Sequence, residues 1–214
     1  MDFTDCVYAF NELKKAVECG QLSVQVEKVF RRLVFSDKMI PCIGNKYAFE
    51  EFLNKQKLGF YCVIDINSFK QVNDLFGHSV GDEVIVKVGK AIRAASVECY
   101  RLTGRRFKVF RIGGDEFVVF WDSPEEVRLF FQILHTHISS LEYGVEQYKL
   151  SISLGCGFSY EVADSFLLKA KEIKTTFKKD ESKGVFGGKL PNIFVGEVQG
   201  LGKRIDEVKF ILEV

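Results

Sequence analysis

The stretch Arg111-Ile-Gly-Gly-Asp-Glu-Phe-Val-Val-Phe-Trp121 sets two glycines and two carboxylates, Asp115 and Glu116, between apolar runs. Gly and Asp are residues that turns prefer, so a hairpin turn is one account of the pattern. The other is a metal site, which needs a partner acid elsewhere in the chain. That partner is Asp65, in "VIDINSFKQVNDLFGHSVGDE" (63–83), at the end of an apolar run. If the strand ending there lies beside the Gly-Gly-Asp hairpin, Asp65 and Asp115 converge. Two carboxylates and a backbone carbonyl suit Mg²⁺ (or Mn²⁺), which takes hard oxygen ligands and keeps waters and phosphate oxygens. A pair of such ions across a triphosphate would activate an attacking hydroxyl and stabilise a departing pyrophosphate. On its own, Asp65 reads better as a cap of the helix that follows, with the other acids as turn residues; the residues that flank it tip the reading toward the metal.

The elements that must position these residues alternate along the chain. "GFYCVIDI" (59–66) is a short apolar run rich in β-formers, predicting a buried strand. "RFKVFRI" and "EFVVFW" predict two strands joined through the Gly-Gly-Asp turn. Val84, Val88, Ile92 and Ala95 share one helical face, with Glu83 and Lys87 paired outside at i,i+4. "YAFEEFL" reads as a helix, and Ser123-Pro124-Glu125-Glu126 as a capping box opening another through Phe130, Leu134 and Ile138. "YKLSISLGCGFS" (148–159) alternates like one half-buried strand. Phe166, Ala170, Ile173 and Phe177 mark a further helix, and "NIFVGEVQ" and "DEVKFILEV" two more strands. Ahead of all this, Phe3 to Val17 and Val26 to Leu33 repeat at helical spacing either side of Gly20, predicting a hairpin of helices packed on the main domain or mediating dimers. The pattern predicts an α+β fold with helices covering a mainly antiparallel sheet. Its divisions are a helical extension (1–35), a central domain (36–190) and a strand-rich extension (191–214).

Composition narrows the function classes. The 214 residues carry a net charge of +1 from 30 basic and 29 acidic side chains, which supports neither a nucleic-acid footprint nor an acidic-membrane surface. The six cysteines are scattered without a C-x-x-C pair, as expected of reduced core thiols rather than a zinc site. No apolar run approaches the ~20 residues of a membrane helix, and the N-terminus lacks a basic signal-peptide region, so a cytoplasmic location is expected.

The order D-x-x-x-F-K-x-x-N-D-x-x-G-H-x-x-G-D, followed by R-x-G-G-D-E-F, resembles the GGDEF domain of bacterial diguanylate cyclases. Here it stands as Asp65, Phe69, Lys70, Asn73, Asp74, Gly77, His78, Gly81 and Asp82, then Arg111 and Gly113 to Phe117. The similarity runs from about Asp37 to Lys183 and takes in an altered opening motif, "SDKMIPCIGNKYAF". The resemblance implies a palm-like sheet of the adenylyl-cyclase and polymerase type. It implies that Asp65, the carbonyl of Ile66 and Asp115 bind the metals, and that Asp115 or Glu116 helps deprotonate a 3′-hydroxyl. Asn73 and Asp82 would read guanine, with His78 nearby, and Lys179 and Lys183 would hold the triphosphate. Chemistry supports Asp82 independently: guanine offers N1–H and an exocyclic amine to one carboxylate, whereas adenine faces it with a lone pair. The implied activity condenses two GTP into cyclic di-GMP across a homodimer. Two other readings stay open, a palm-type synthase of another cyclic or short oligonucleotide and a catalytically silent GTP- or partner-binding module. The family's product-inhibition Arg and Asp would fall at Gly104 and Phe107, neither of which can bind in that manner.

Overall fold

The structure, a computed structural model, describes residues 3–56, 58–144, 148–181 and 192–199, with side chains for 8–56, 58–144, 148–176 and 192–199. Two helices, α1 (Phe3–Glu18) and α2 (Val24–Phe35), form the expected hairpin. Ser23 caps α2 by accepting from the Val26 N–H. The hairpin closes on aromatic rings: Phe10 is buried, 5.2 Å edge-on from Phe35 and stacked at 6.4 Å on Phe30. The apolar series that predicted α2 does not all face inward, since Val26, Val29 and Leu33 are exposed. Phe35 on the helix's last turn does the burying instead.

From there α3 (Lys46–Lys55), capped by Asn45, leads to β1 (Phe60–Ile66). A short α4 (Phe69–Phe76) and a long α5 (His78–Thr103) follow, then β2 (Lys108–Arg111) and β3 (Glu116–Trp121). Next come α6 (Val127–Ser139), a small hairpin β4 (Glu142–Tyr143) with β5 (Tyr148–Lys149), β6 (Ile152–Gly157), α7 (Tyr160–Glu181) and β7 (Ile193–Val198). The main sheet has the order β2-β3-β1-β6-β7. Its first three pairings are antiparallel, and β6 with β7 is parallel, joined by the crossover helix α7. "DEVKFILEV" lies outside the described residues.

The strand period sorts the core into two halves. Phe60, Cys62, Ile64 and Ile66 of β1 join Phe117, Val119 and Trp121 of β3 in the larger cluster, completed by Val84, Val88, Ile92 and Ala95 of α5 and by α6. Trp121 packs on Phe60, Phe107 and Phe130 at 4.9 to 5.4 Å. Each such fully buried large side chain contributes roughly 1.5–3 kcal/mol relative to exposure. Tyr61, Val63, Val118 and Phe120 point the other way, against Phe49 and Phe52 of α3 and Ala163 and Leu167 of α7. The sheet is thus covered on both faces.

Three local expectations are corrected. The single half-buried strand over 148–159 is two strands broken at Leu150-Ser151, and β6 is buried at every position. Its glycines are not a polar face: at Gly155 the backbone of α7 approaches so closely that an added Cβ would lie 2.2 Å from the Leu167 nitrogen. The capping box is half made. Ser123 accepts from the Glu125 N–H at 3.4 Å, starting a 3-10 turn over Pro124–Glu126, while the Glu126 carboxylate pairs with Arg105 at 3.3 Å. The inner face of α7 is Ala163, Leu167 and Ala170, with Phe166 and Ile173 only half-buried.

Candidate active site

The register of β1 against β3 sets Asp65 directly across from Glu116. One residue on, the Ile66 N–H donates to the carbonyl of Asp115 at 3.2 Å, so the turn and the end of β1 are hydrogen-bonded together. Asp65 therefore emerges beside the Gly-Gly-Asp turn, as required for the three oxygen donors to converge. It is not a helix cap: the residue preceding α4 is Ser68, in the left-handed region. Its partner on the other side is Ser153 of β6. Ser153 is buried and donates to the Asn67 Oδ1 at 2.7 Å.

Arg111 builds the turn from inside. Its Nε and Nη2 both donate to the carbonyl of Gly114, at 3.1 and 2.8 Å. Its Nη1 reaches the Asp37 carboxylate at 3.3 Å. Asp37 is buried and is itself fixed by the amides of Met39 and Ile40. The planar fork of arginine makes this three-way clamp possible.

Sequence reading passed over one member of the site. Lys171 of α7 donates to the Asp65 carboxylate at 2.7 Å. It follows Leu167 by four residues, so it projects from the face that packs on the sheet. Choosing Phe166 and Ile173 as the inner face concealed it. The two lysines singled out instead cannot be compared with it, since the side chain of Lys179 and all of Lys183 lie outside the described residues.

Burial, then the nearby Asp65, pushes the Asp115 carboxyl above its ordinary range, while Lys171 and Arg111 pull it back. Glu116 is also raised, again chiefly by burial, with Lys171 the main opposing influence. A folded-state pKa above the unfolded value makes ionisation a cost to folding, present once the pH exceeds the folded pKa and absent below the unfolded one. In buffer free of divalent cations, Asp115→Asn should therefore raise the thermal midpoint at pH 7, and the gain should vanish as the pH falls below 4. A melting series that shows no gain at pH 7 would contradict the repulsion described here.

These carboxylates fit a divalent cation. Among the described residues no three His, Cys, Asp or Glu form a ready-made cage. Two carboxylates and a carbonyl leave positions for water and phosphate, the arrangement that Mg²⁺ favours.

The residues expected to read guanine lie at the junction of α4 and α5. Asn73 sits on α4, with its Oδ1 buried and unpartnered. A Cβ at Gly81 would lie 2.0 Å from that oxygen, so only glycine lets α5 approach Asn73 this closely. Asp82 follows on the first turns of α5 and is exposed, as is His78 at the helix start. Ordinary capping does not account for Asp82, because the residue preceding α5 is Gly77.

The family profile described as "Diguanylate cyclase, GGDEF domain" matches residues 44–181. The chain belongs to the GGDEF family. It is 32% identical over 152 residues to the probable diguanylate cyclase DgcI of Escherichia coli K12, and 27% identical over 176 residues to diguanylate cyclase DgcN of the same strain. These alignments cover 64% and 77% of this chain but 31% and 41% of the relatives, so the chain spans less than half the length of either. Among solved structures, the coiled coil and GGDEF domain of DgcB from Caulobacter crescentus superposes with a TM-score of 0.56 at 22% identity. That superposition covers 76% of this chain and 93% of the other, which gives this GGDEF chain the shared palm-like fold. Among the described residues no helix is long and apolar enough to cross a membrane.

Proposed function

We propose that this GGDEF chain is a diguanylate cyclase that joins two GTP into cyclic di-GMP. The observation that carries the reading is the placement of Asp65 against the Asp115-Glu116 turn by strand register. Asp65, Asp115 and the Ile66 carbonyl would hold two Mg²⁺ (or Mn²⁺) ions. When bound, the metals lower the pKa of the attacking 3′-hydroxyl and neutralise charge on the departing pyrophosphate. In each half-reaction a 3′-oxygen bonds to the α-phosphorus of the other GTP, and the bond from that phosphorus to the β-phosphate oxygen breaks. Pyrophosphate leaves, and the hydroxyl proton passes to Glu116 or Asp115. The raised pKa of Glu116 suits it to accept that proton, since a base works best with a pKa nearer the working pH. Lys171, which pairs with Asp65, would contribute positive charge toward the phosphates. Lys179 and Lys183 would extend that positive surface.

Guanine would be read at the α4–α5 junction by Asn73 and Asp82, with His78 at its edge. One chain accommodates one GTP, and ring closure needs two 3′-hydroxyls, so the working species would be a homodimer in the cytoplasm. The test is incubation with labelled GTP, ATP or both in the presence of Mg²⁺, with products identified by mass. Cyclic di-GMP from GTP alone supports the reading, an adenine-containing product points to another palm-type synthase, and binding without turnover points to a silent module. Asp82→Ser should relax base choice, cutting the preference for GTP over ATP by roughly ten- to a hundredfold, as expected when hydrogen bonds from the base to a charged carboxylate are lost. An unchanged ratio of kcat/KM values would mean that guanine is read elsewhere.

A further inference from the structure

Of the three carboxylates at the turn, Asp65, Asp115 and Glu116, only Asp65 is in an ion pair among the described residues: the Lys171 ammonium lies 2.7 Å from its Oδ2. The same charge reaches the other two acids and opposes the rise in both their pKa values. The pair is not what holds α7 to the sheet. The helix lies so close to β6 and β7 that a Cβ at Gly155 would meet the Leu167 nitrogen at 2.2 Å, and one at Gly196 the Phe166 carbonyl oxygen at 1.8 Å. Ala163, Leu167 and Ala170 are buried along that contact, and Lys169 pairs separately with Glu197. Lys171 therefore stands at Asp65 for its charge. Its side chain is partly exposed, and an ammonium on a flexible stem is free to leave in a way that the Arg111 clamp is not.

We infer that Lys171 is a built-in competitor for the divalent cation at Asp65. Ammonium and metal claim the same carboxylate, so the site takes a cation only by giving up this pair. Lys171 thereby sets how tightly the acids hold a free metal ion, a role separate from any contact with substrate. It has this role only if Asp65 is a metal ligand, and so rests on the cyclase reading proposed above.

The probe is Mn²⁺ alone, without nucleotide, titrated against the full chain at low salt and followed by loss of the free ion's paramagnetic resonance signal. Lys171→Met should bind it about tenfold more tightly than wild type, the order expected when a partly exposed charged hydrogen bond no longer has to be broken. Lys171→Arg, which keeps a cation on Asp65, should bind no more tightly than wild type. A lysine that served only the fold would give the opposite sign for Lys171→Met, since loosening α7 disturbs the acids and weakens the metal. Melting curves establish that the variants are folded, and methionine is itself a good helix former. A second measurement needs no variant: in the wild-type chain Lys171 should be acetylated faster with Mn²⁺ present than without, read by mass after proteolysis. Equal or weaker binding by Lys171→Met, an equal gain in Lys171→Arg, or an acetylation rate indifferent to the cation overturns the competitor role and leaves the cyclase reading standing. Absence of Mn²⁺ binding in both wild type and Lys171→Met overturns the two together.

Discussion

Asp115→Ala is expected to abolish cyclic di-GMP formation while leaving the fold intact. The side chain sits at the hairpin tip, where its backbone carbonyl, not its carboxylate, holds β1 through the Ile66 N–H. Alanine keeps that hydrogen bond. It also removes a charge that burial and Asp65 already disfavour, so the melting temperature should hold or rise. Turnover is another matter. Losing the proposed metal ligand and proton acceptor would remove several kcal/mol of transition-state stabilisation, about a thousandfold or more in rate. Single-turnover measurement with labelled GTP checks it. Residual turnover within about tenfold of wild type would remove Asp115 from the mechanism.

Gly155→Val should cost the protein its stability and, with it, the arrangement of the acid site. A Cβ at Gly155 would meet the Leu167 nitrogen at 2.2 Å and the Ala163 oxygen and Phe166 carbonyl carbon at 2.5 Å. All three are backbone atoms of α7, so no side-chain rotation relieves the clash. The helix must lift from β6, uncovering Ala163, Leu167 and Ala170 and withdrawing Lys171 from Asp65. Overpacking a tight core costs roughly 1–3 kcal/mol and more where backbone is the obstacle, or about 6–12 °C in the thermal midpoint for a loss of 3 kcal/mol. A variant melting within about 2 °C of wild type would show that β6 and α7 have more room than the structure gives them.

The outer shape of this fold is legible in residues because each strand of the acid site carries a strong signal. Phe60–Ile66 and Glu116–Trp121 are apolar runs of β-formers, and the Gly-Gly-Asp between the two hairpin strands is turn chemistry. The convergence of Asp65 with Asp115 follows once those strands pair. What the sequence hides is how α7 sits on the sheet. Phe166 and Ile173 are larger than Ala163 and Ala170, and size alone suggests that they face inward. The small residues do so because the helix lies too close to Gly155 for anything bulkier. Lys171 is invisible until that rotation is known. The break at Leu150-Ser151 is similarly masked, because alternation continues across it in the sequence while the backbone changes sheets. Arg111 reads as one more motif letter until its fork is seen spanning Gly114 and Asp37.

The parallel partner of β6 lies outside the stretch that the family profile matches, yet it forms one edge of the sheet and covers β6. Stripped of Ile193–Val198, β6 would become an open rim, its amides and carbonyls free to recruit a strand from a neighbouring molecule. β7 thus keeps the fully buried, apolar β6 from serving as the sheet's edge, and a protein trimmed to the recognisable motif would present that strand to its neighbours instead.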